Sequence, residues 1–150
     1  MPQPHPHLTR QLSADFLDAH FRHWEDAELL RDNGRLANAD QLYGLSAECG
    51  LKAIMQRLGM RTTPEGKPEN PDFQVHIDRL WNVFRGFASG KKAVRMASRL
   101  SGGNPFQDWL IDHRYANRSH FTPDTIRQHK KGAAQVRSLV MEARLSGILR

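Results

Sequence analysis

Apolar residues recur at spacings of three and four along most of the chain, the periodicity of helices that bury one face. No stretch alternates apolar with polar residues for long enough to predict a β-strand. Thr, Pro, Gly and charged residues interrupt the pattern at 61–70, where we expect a loop. The periodic segments predict helices at about 13–31, 36–58, 77–90, 91–100, 105–116 and 122–146. We therefore expect an all-α fold, a single-domain bundle of about five or six helices at 12–150 that follows a disordered tail at 1–11.

The helix predicted at 36–58 has apolar residues around well over half of its circumference, which is typical of a helix at the centre of a bundle. Its narrow polar strip includes Glu48 and, one turn later, Lys52. Gly44 and Gly50 lie inside this helix, where each glycine costs about 1 kcal/mol relative to alanine. We expect the close approach of neighbouring helices to compensate this cost.

Polar residues predict where several helices begin. Ser13 is a candidate N-cap for the first helix. Asn104, followed by a proline and then by Gln107, resembles a capping box that would start a helix at 105. Thr122, also followed by a proline, predicts the start of the last helix in the same way.

The composition is that of one globular domain: of 150 residues, 39% are hydrophobic and 25% are charged. The sequence has no uninterrupted apolar run of the ~18 residues needed to cross a bilayer. We expect no secretory signal, because the first residues lack a basic start followed by an apolar run. The single cysteine, Cys49, lies among small apolar residues, so we expect it to pack in the core of a cytoplasmic protein that does not associate with membranes.

The charge distribution favours partners that carry phosphate groups, since the formal charge is +6 and the pI is near 10.0. Basic residues recur every seven positions along the last helix and cluster on the outward face of the fourth. These candidate nucleic-acid-binding residues are Lys91, Lys92, Arg95, Arg99, Lys130, Arg137 and Arg144. Such stripes bind a phosphate backbone in a salt-dependent manner, but they also occur as solvated faces of helices, and both interpretations stay open.

The aromatic and histidine side chains fall mainly on apolar faces. We expect Trp24, Trp81 and Trp109 in the core rather than stacked on bases. Five histidines are expected as interior or boundary residues: His20, His23, His76, His113 and His129. Since the sequence has no HExxH pair, Cys/His cluster or glycine-rich phosphate loop, we expect no metal site and no cofactor.

Arg114 and His120 are the candidate catalytic residues, separated by five residues at 115–119. Arginine presents a fixed fork of donors that suits a phosphate, and histidine exchanges a proton near neutral pH. RNA supplies its own nucleophile, the 2′-hydroxyl, so these two groups could cleave a phosphodiester without a metal. The alternative is structural: Arg114 would pair with Asp108 or Asp112, and His120 would be an ordinary loop residue.

Several segments together resemble the HEPN superfamily of small helical domains, over roughly 22–120. They are RHWEDAE at 22–28, NADQLYGLSAECGLK at 38–52, HIDRLW at 76–81, DW at 108–109 and RYA at 114–116. The resemblance implies a bundle of four or five helices that often dimerises through its late helix. Many members are metal-independent endoribonucleases of toxin–antitoxin or defence systems.

The family signature is an arginine, usually followed by a polar residue, and a histidine, with four to six residues between the arginine and the histidine. Arg114 and His120 match this spacing, whereas Tyr115 stands where the family usually has Asn, Asp or His. The resemblance therefore implies an RNA-directed homodimer, with an antitoxin-like protein as a further candidate partner. The alternative is a non-catalytic helical module that binds a nucleotide or a partner protein, because such members also exist.

Overall fold

The computed structural model describes residues 12–91, 93–100 and 102–149, so the tail predicted at 1–11 lies outside the described residues. The α-helices are α1 (Phe16–Asp32), α2 (Leu36–Arg57), α3 (Ile77–Gly90), α4 (Val94–Arg99) and α5 (Pro123–Leu145). Short 3₁₀ helices lie at Pro71–Phe73, Ile111–Tyr115 and Arg118–His120. Within the described ranges there is no β-strand, and the prediction of an all-α bundle is confirmed. No helix in these ranges combines the length and the apolar character needed to cross a membrane.

Helix α2 lies at the centre of the bundle, as its nearly continuous apolar surface predicts. It contacts α1, α3 and α5, and 14 of its 22 residues are buried. Buried apolar side chains from all five helices and from the segment 105–109 join one core cluster. The largest of these side chains are Trp81, Trp109, Tyr43, Phe84 and Phe106. The polar side chains of α2 that are buried must therefore find partners inside the bundle.

The two glycines of α2 lie where neighbouring side chains leave no room for a Cβ atom. A Cβ on Gly44 would be 2.1 Å from the Trp109 ring. A Cβ on Gly50 would be 2.7 Å from both His20 and Val136. The expectation that close packing compensates these glycines is therefore confirmed.

The start of the last helix is confirmed, and the starts of two others differ from the sequence prediction. The Thr122 hydroxyl accepts a hydrogen bond from the amide of Thr125, and the Thr125 hydroxyl accepts one from the amide of Thr122. At α1 the N-cap is Asp15, whose Oδ1 accepts from the amide of Asp18, so Ser13 was the wrong residue. Helix α4 begins at Val94, because Lys91 still closes α3.

The helix predicted at 105–116 is wrong: turns occupy 105–108 and the 3₁₀ helix Ile111–Tyr115 follows. Asn104 still caps a local turn, since its Oδ1 accepts from the amide of Phe106 at 2.9 Å. The indole of Trp109 donates to the carbonyl of Asp40 at 3.2 Å, and the side chain of Gln41 donates to the carbonyl of Leu110 at 3.0 Å. Burial of Phe106 and Trp109 against α2 and α5 therefore overrides the local helix signal.

The substitution Gly44→Ala should lower the free energy of unfolding by ~2 kcal/mol or more, because the added methyl group overlaps the Trp109 ring. The matched control is Gly86→Ala in α3, where no neighbouring atom lies within 4 Å of the new Cβ. That substitution should raise the free energy of unfolding by about 0.5–1 kcal/mol. Urea denaturation of the two variants measures both changes, and equal effects would contradict the packing described for Gly44.

Candidate functional site

Two solvent-open cavities adjoin at the amino-terminal end of α2 and share His113, Ala116 and Phe121 as a common wall. The first, here called the arginine cavity, has a volume of about 310 Å³ and includes Arg35 and Arg114 in its lining. The second, here called the histidine cavity, has a volume of about 340 Å³. The segment 105–122 contributes to both cavities, so its irregular course determines their shape.

The arginine cavity is suited to an anion. Arg35, Arg114 and Arg118 line it, together with the first residues of α2, and no carboxylate of the described residues lies in its lining. The α2 amino terminus has no side-chain cap and no acidic residue in its first turn. Its first amides therefore have no acceptor within the helix, and they lie at the positive end of the dipole of a 22-residue helix.

Arg114 is an exposed side chain at this cavity, and its guanidinium lies over the Tyr115 ring at 4.8 Å from the centroid. No ion pair joins it to Asp108 or Asp112, both of which are among the described residues. The alternative in which Arg114 is a structural residue paired with Asp108 or Asp112 therefore lacks its ion pair. The guanidinium fork keeps its donors for a ligand, because stacking on an aromatic ring leaves the edge of the guanidinium open.

The histidine cavity contains a histidine held between two carboxylates. His129 Nδ1 lies 2.6 Å from Asp40 Oδ1, and His129 Nε2 lies 2.7 Å from Asp108 Oδ1. The His129 ring also stacks on Phe106 with a centroid distance of 5.6 Å. The two carboxylates differ in exposure: the Asp40 side chain is 2% exposed and the Asp108 side chain is 75% exposed.

The surroundings of His129 favour its charged form. Burial alone lowers the pKa of His129, but hydrogen bonds and charge attraction from Asp40 and Asp108 outweigh burial and raise the pKa above its usual value of 6.5. Both ring nitrogens then act as donors, which matches the two carboxylate contacts. The prediction that His129 is an interior histidine is confirmed, and both of its ring nitrogens have carboxylate partners.

His120 is exposed and lies on the wall of the histidine cavity. Its backbone is held at both sides: Asn117 Oδ1 accepts from the amide of Ser119, and the Thr125 hydroxyl donates to the carbonyl of His120. His113 is half-buried and lines both cavities. The histidine cavity thus brings three imidazoles to one end of the bundle.

The two candidate catalytic residues line adjoining cavities and not the same one. Arg114 lines the arginine cavity, whereas His120 lines the histidine cavity on the other side of the shared wall. Of the three residues that line both cavities, His113 is the one with a polar side chain. The prediction that Arg114 and His120 act on one phosphate therefore stays a prediction.

The described members of the predicted basic stripes lie outside both cavities, whereas Lys92 is not among the described residues. Arg99 forms an ion pair with Glu142 at 3.2 Å. Arg137 and Arg144 lie over the rings of Trp24 and Phe21 at 5.6 and 5.4 Å. The remaining members are Lys91 and Arg95, which are exposed, and Lys130, which is half-buried. Arg99 therefore pairs within the bundle, and Arg137 and Arg144 cover apolar surface with their long side chains.

The remaining predictions about single residues concern the core. Trp81 and Trp109 are buried as expected, and Trp24 is half-buried beneath Arg137. Burial raises the pKa of the Cys49 thiol to about 12, which fits core packing and not a nucleophile. Glu48 contacts Lys52 as expected, and it also accepts a hydrogen bond from His76 at 3.0 Å, which raises the pKa of His76.

Sequence reasoning did not assign six charged or imidazole-bearing residues to the site: Arg35, Arg118, Asp40, Asp108, His113 and His129. Arg35 sits at the N-cap position of α2, where the sequence offers no Ser, Thr, Asp or Asn, and this missing cap was the available signal. Asp40 on an otherwise buried helix was the second signal, since a buried carboxylate needs a partner. Its partner His129 is 89 positions away, which no local pattern reveals.

Comparison with protein-family models, with curated proteins and with solved structures finds no match to this chain. Among the described residues, no group of three or more His, Cys, Asp or Glu side chains is arranged to hold a metal ion. The structure thus defines an all-α bundle with an arginine-lined cavity beside a histidine-lined cavity.

Titration of His129 should make the protein less stable as the pH rises. Because the pKa of His129 is raised above 6.5, its contacts stabilise the fold fully at lower pH and lose this contribution as the pH rises through the folded-state pKa. The stability advantage of wild type over the double variant Asp40→Asn/His129→Gln should therefore be largest near pH 6 and decrease by ~1 kcal/mol or more toward pH 8.5. Urea denaturation at each pH measures this difference.

The matched control is His120→Gln, since the His120 imidazole pairs with no carboxylate of the described residues. This variant should follow the pH dependence of wild type. A stability difference for the double variant that stays constant between pH 6 and 8.5 would show that His129 is not held as an imidazolium.

Proposed function

We propose that this chain is an RNA-directed protein of the HEPN type that cleaves a phosphodiester without a metal. The observation that carries the proposal is the pair of adjoining cavities, one lined by three arginines and the other by three histidines. An arginine cluster without carboxylates binds phosphate, and exposed imidazoles transfer protons near neutral pH. The resemblance of 22–120 to HEPN domains supports the same reading, because it assigns the phosphate contact to Arg114 and proton transfer to His120.

In the proposed reaction the 2′-hydroxyl of RNA attacks the adjacent phosphorus, and the bond from phosphorus to the 5′-oxygen breaks. One imidazole accepts the proton of the 2′-hydroxyl, and a second protonates the departing 5′-oxygen, so the products are a 2′,3′-cyclic phosphate and a 5′-hydroxyl. His120 is assigned to one of these transfers. His113 is placed to serve the other, since it lines both cavities.

Arg114 supplies the charge that the reaction needs at phosphorus. Its guanidinium, with those of Arg35 and Arg118, lines the cavity next to the imidazoles and would stabilise the negative charge that develops as the phosphodiester is attacked. The formal charge of +6 would concentrate RNA near the chain before specific contacts form.

Cleavage of RNA in the presence of EDTA tests the proposal. Wild type should cleave, His120→Ala should reduce the rate by about 10²–10⁴-fold, and Arg114→Ala should reduce it by about 10²-fold or more. Arg57→Ala is the matched control, because Arg57 is an exposed arginine at the opposite end of α2. It should retain the wild-type rate. Equal cleavage by wild type and both site variants would refute the assignment of Arg114 and His120 as catalytic residues.

A non-catalytic role is the second candidate, and one observation favours it. Arg114 and His120 line separate cavities in the single chain, so a nucleotide could occupy the arginine cavity without meeting His120. In that case wild type would bind a nucleotide, Arg114→Ala would weaken binding, and no variant would cleave RNA. Calorimetric titration with a nucleoside monophosphate distinguishes this role from cleavage.

The resemblance also implies a homodimer and, through toxin–antitoxin members, a regulatory protein partner. A dimer would allow Arg114 of one chain and His120 of its partner to face one phosphate. Sedimentation velocity should therefore show a species of twice the 17.2 kDa chain mass. A monomer alone at high protein concentration would contradict this proposal.

A further inference from the structure

His129 has one buried carboxylate partner and one exposed carboxylate partner. The ring is stacked on Phe106, and its Nδ1 is bound to the buried carboxylate of Asp40. The Nε2 atom is turned to the other side, where the carboxylate of Asp108 meets it at 2.7 Å. His129 and Asp108 both line the histidine cavity, so this contact lies at the wall of a space open to solvent.

Asp108 differs from Asp40 in what holds it. Asp40 belongs to the central helix, and its side chain is 2% exposed. Asp108 belongs to the turn at 105–108, and its side chain is 75% exposed, with no ion pair to any other described residue. Water can therefore replace His129 as the hydrogen-bond partner of the Asp108 carboxylate at little cost in free energy to that carboxylate. The buried Asp40 carboxylate has no water to replace His129.

We propose that the Asp108 carboxylate occupies an anion subsite at His129, and that a phosphate group of the RNA ligand replaces it. This inference rests on the proposed function, because it names which protein group competes with the substrate for the histidine cavity. Asp40 is then a positioning residue, since it acts on the ligand only through His129. Asp108 is a competing anion that weakens binding until the ligand displaces it.

Charge balance supports the exchange. Asp40 and His129 form a neutral pair when the imidazole is protonated, and Asp108 adds one negative charge. A phosphodiester also carries one negative charge, so replacing the Asp108 carboxylate by a phosphodiester leaves the net charge of the cavity unchanged. The displaced carboxylate moves into solvent, and the phosphate gains contact with His129, near His113 and His120 on the same wall. Phosphate oxygens are good acceptors for charged imidazole donors.

The arrangement also explains how two phosphates of one strand could be held. The arginine and histidine cavities share a wall of His113, Ala116 and Phe121. A strand with one phosphate among the arginines would bring a neighbouring phosphate toward His129. The exchange at Asp108 would therefore add a second contact next to the scissile position.

Binding of a hexanucleotide with 2′-O-methyl riboses tests the inference separately from cleavage, since this probe lacks the nucleophile. Fluorescence anisotropy at constant ionic strength should show that Asp108→Asn binds about tenfold tighter than wild type, which corresponds to ~1.4 kcal/mol. Asp112→Asn is the matched control, because it removes the same charge from a nearby exposed carboxylate that does not contact His129. It should change the affinity by less than about twofold.

A double-mutant cycle links the effect to His129. Asp108→Asn should improve binding in the wild-type background and leave it unchanged in the His129→Gln background. Equal gains from Asp108→Asn and Asp112→Asn would show only a general charge effect and would overturn the inference. Loss of folding in Asp108→Asn, judged from its thermal unfolding, would show that the carboxylate is structural and would also overturn it.

Titration with inorganic phosphate, followed through the imidazole resonances of His129, separates this inference from the proposed function. Phosphate should shift the His129 resonances at a lower concentration in Asp108→Asn than in wild type. If this occurs while RNA is neither bound nor cleaved, the anion subsite stands and the RNA-directed function fails. If RNA is cleaved through Arg114 and His120 while phosphate shifts the His129 resonances in neither wild type nor Asp108→Asn, the proposed function stands and the anion subsite is refuted.

Discussion

The packing of Trp109 against Gly44 holds the site together. The indole fills the space that a Cβ on α2 would occupy, and its N–H donates to the carbonyl of Asp40 at 3.2 Å. This contact attaches the segment 105–122 to the central helix close to Asp40 and Arg35. The same segment carries Asp108, His113 and Arg114, which line the cavities. The shape of both cavities therefore depends on the packing of the Trp109 ring against Gly44. The second attachment is at α5, where Gly132 leaves room for Pro105 and Phe106.

Charge is divided between the two cavities in a way that suits a phosphate ester. The arginines and the uncapped start of α2 make one side positive, and Asp40 and Asp108 accompany His129 on the other. In the proposed function, the arginine cavity would hold the scissile phosphate and the histidine cavity would supply the groups that transfer protons. In that proposal, the wall shared by the two cavities would connect binding of the phosphate with proton transfer.

The all-α fold, the central position of α2 and the capping of α5 could be predicted from the sequence, because each depends on neighbours within one or two helical turns. The course of 105–116 could not be predicted. Its proline, its asparagine cap and its apolar spacing all favour a helix, but Trp109 is held by contacts 69 positions away in sequence. The spacing of Arg114 and His120 predicted a candidate site, and the two residues line adjoining cavities at the amino-terminal end of α2. The pairing of Asp40 with His129 depends on how α2 and α5 pack, and local patterns carry no information about it.

The site segment is attached firmly at Trp109 and at Thr122, while the residues between them are mostly exposed and form only short 3₁₀ helices. Amide hydrogens there can exchange with solvent through local opening, without loss of the helical core. A ligand that bridges the two cavities would order this stretch as it binds, so part of the interaction energy would go into restricting the backbone. The affinity would then depend on how ordered the backbone of this stretch is before the ligand binds. Amino-acid substitutions in the stretch that touch no ligand would alter the affinity through backbone entropy alone.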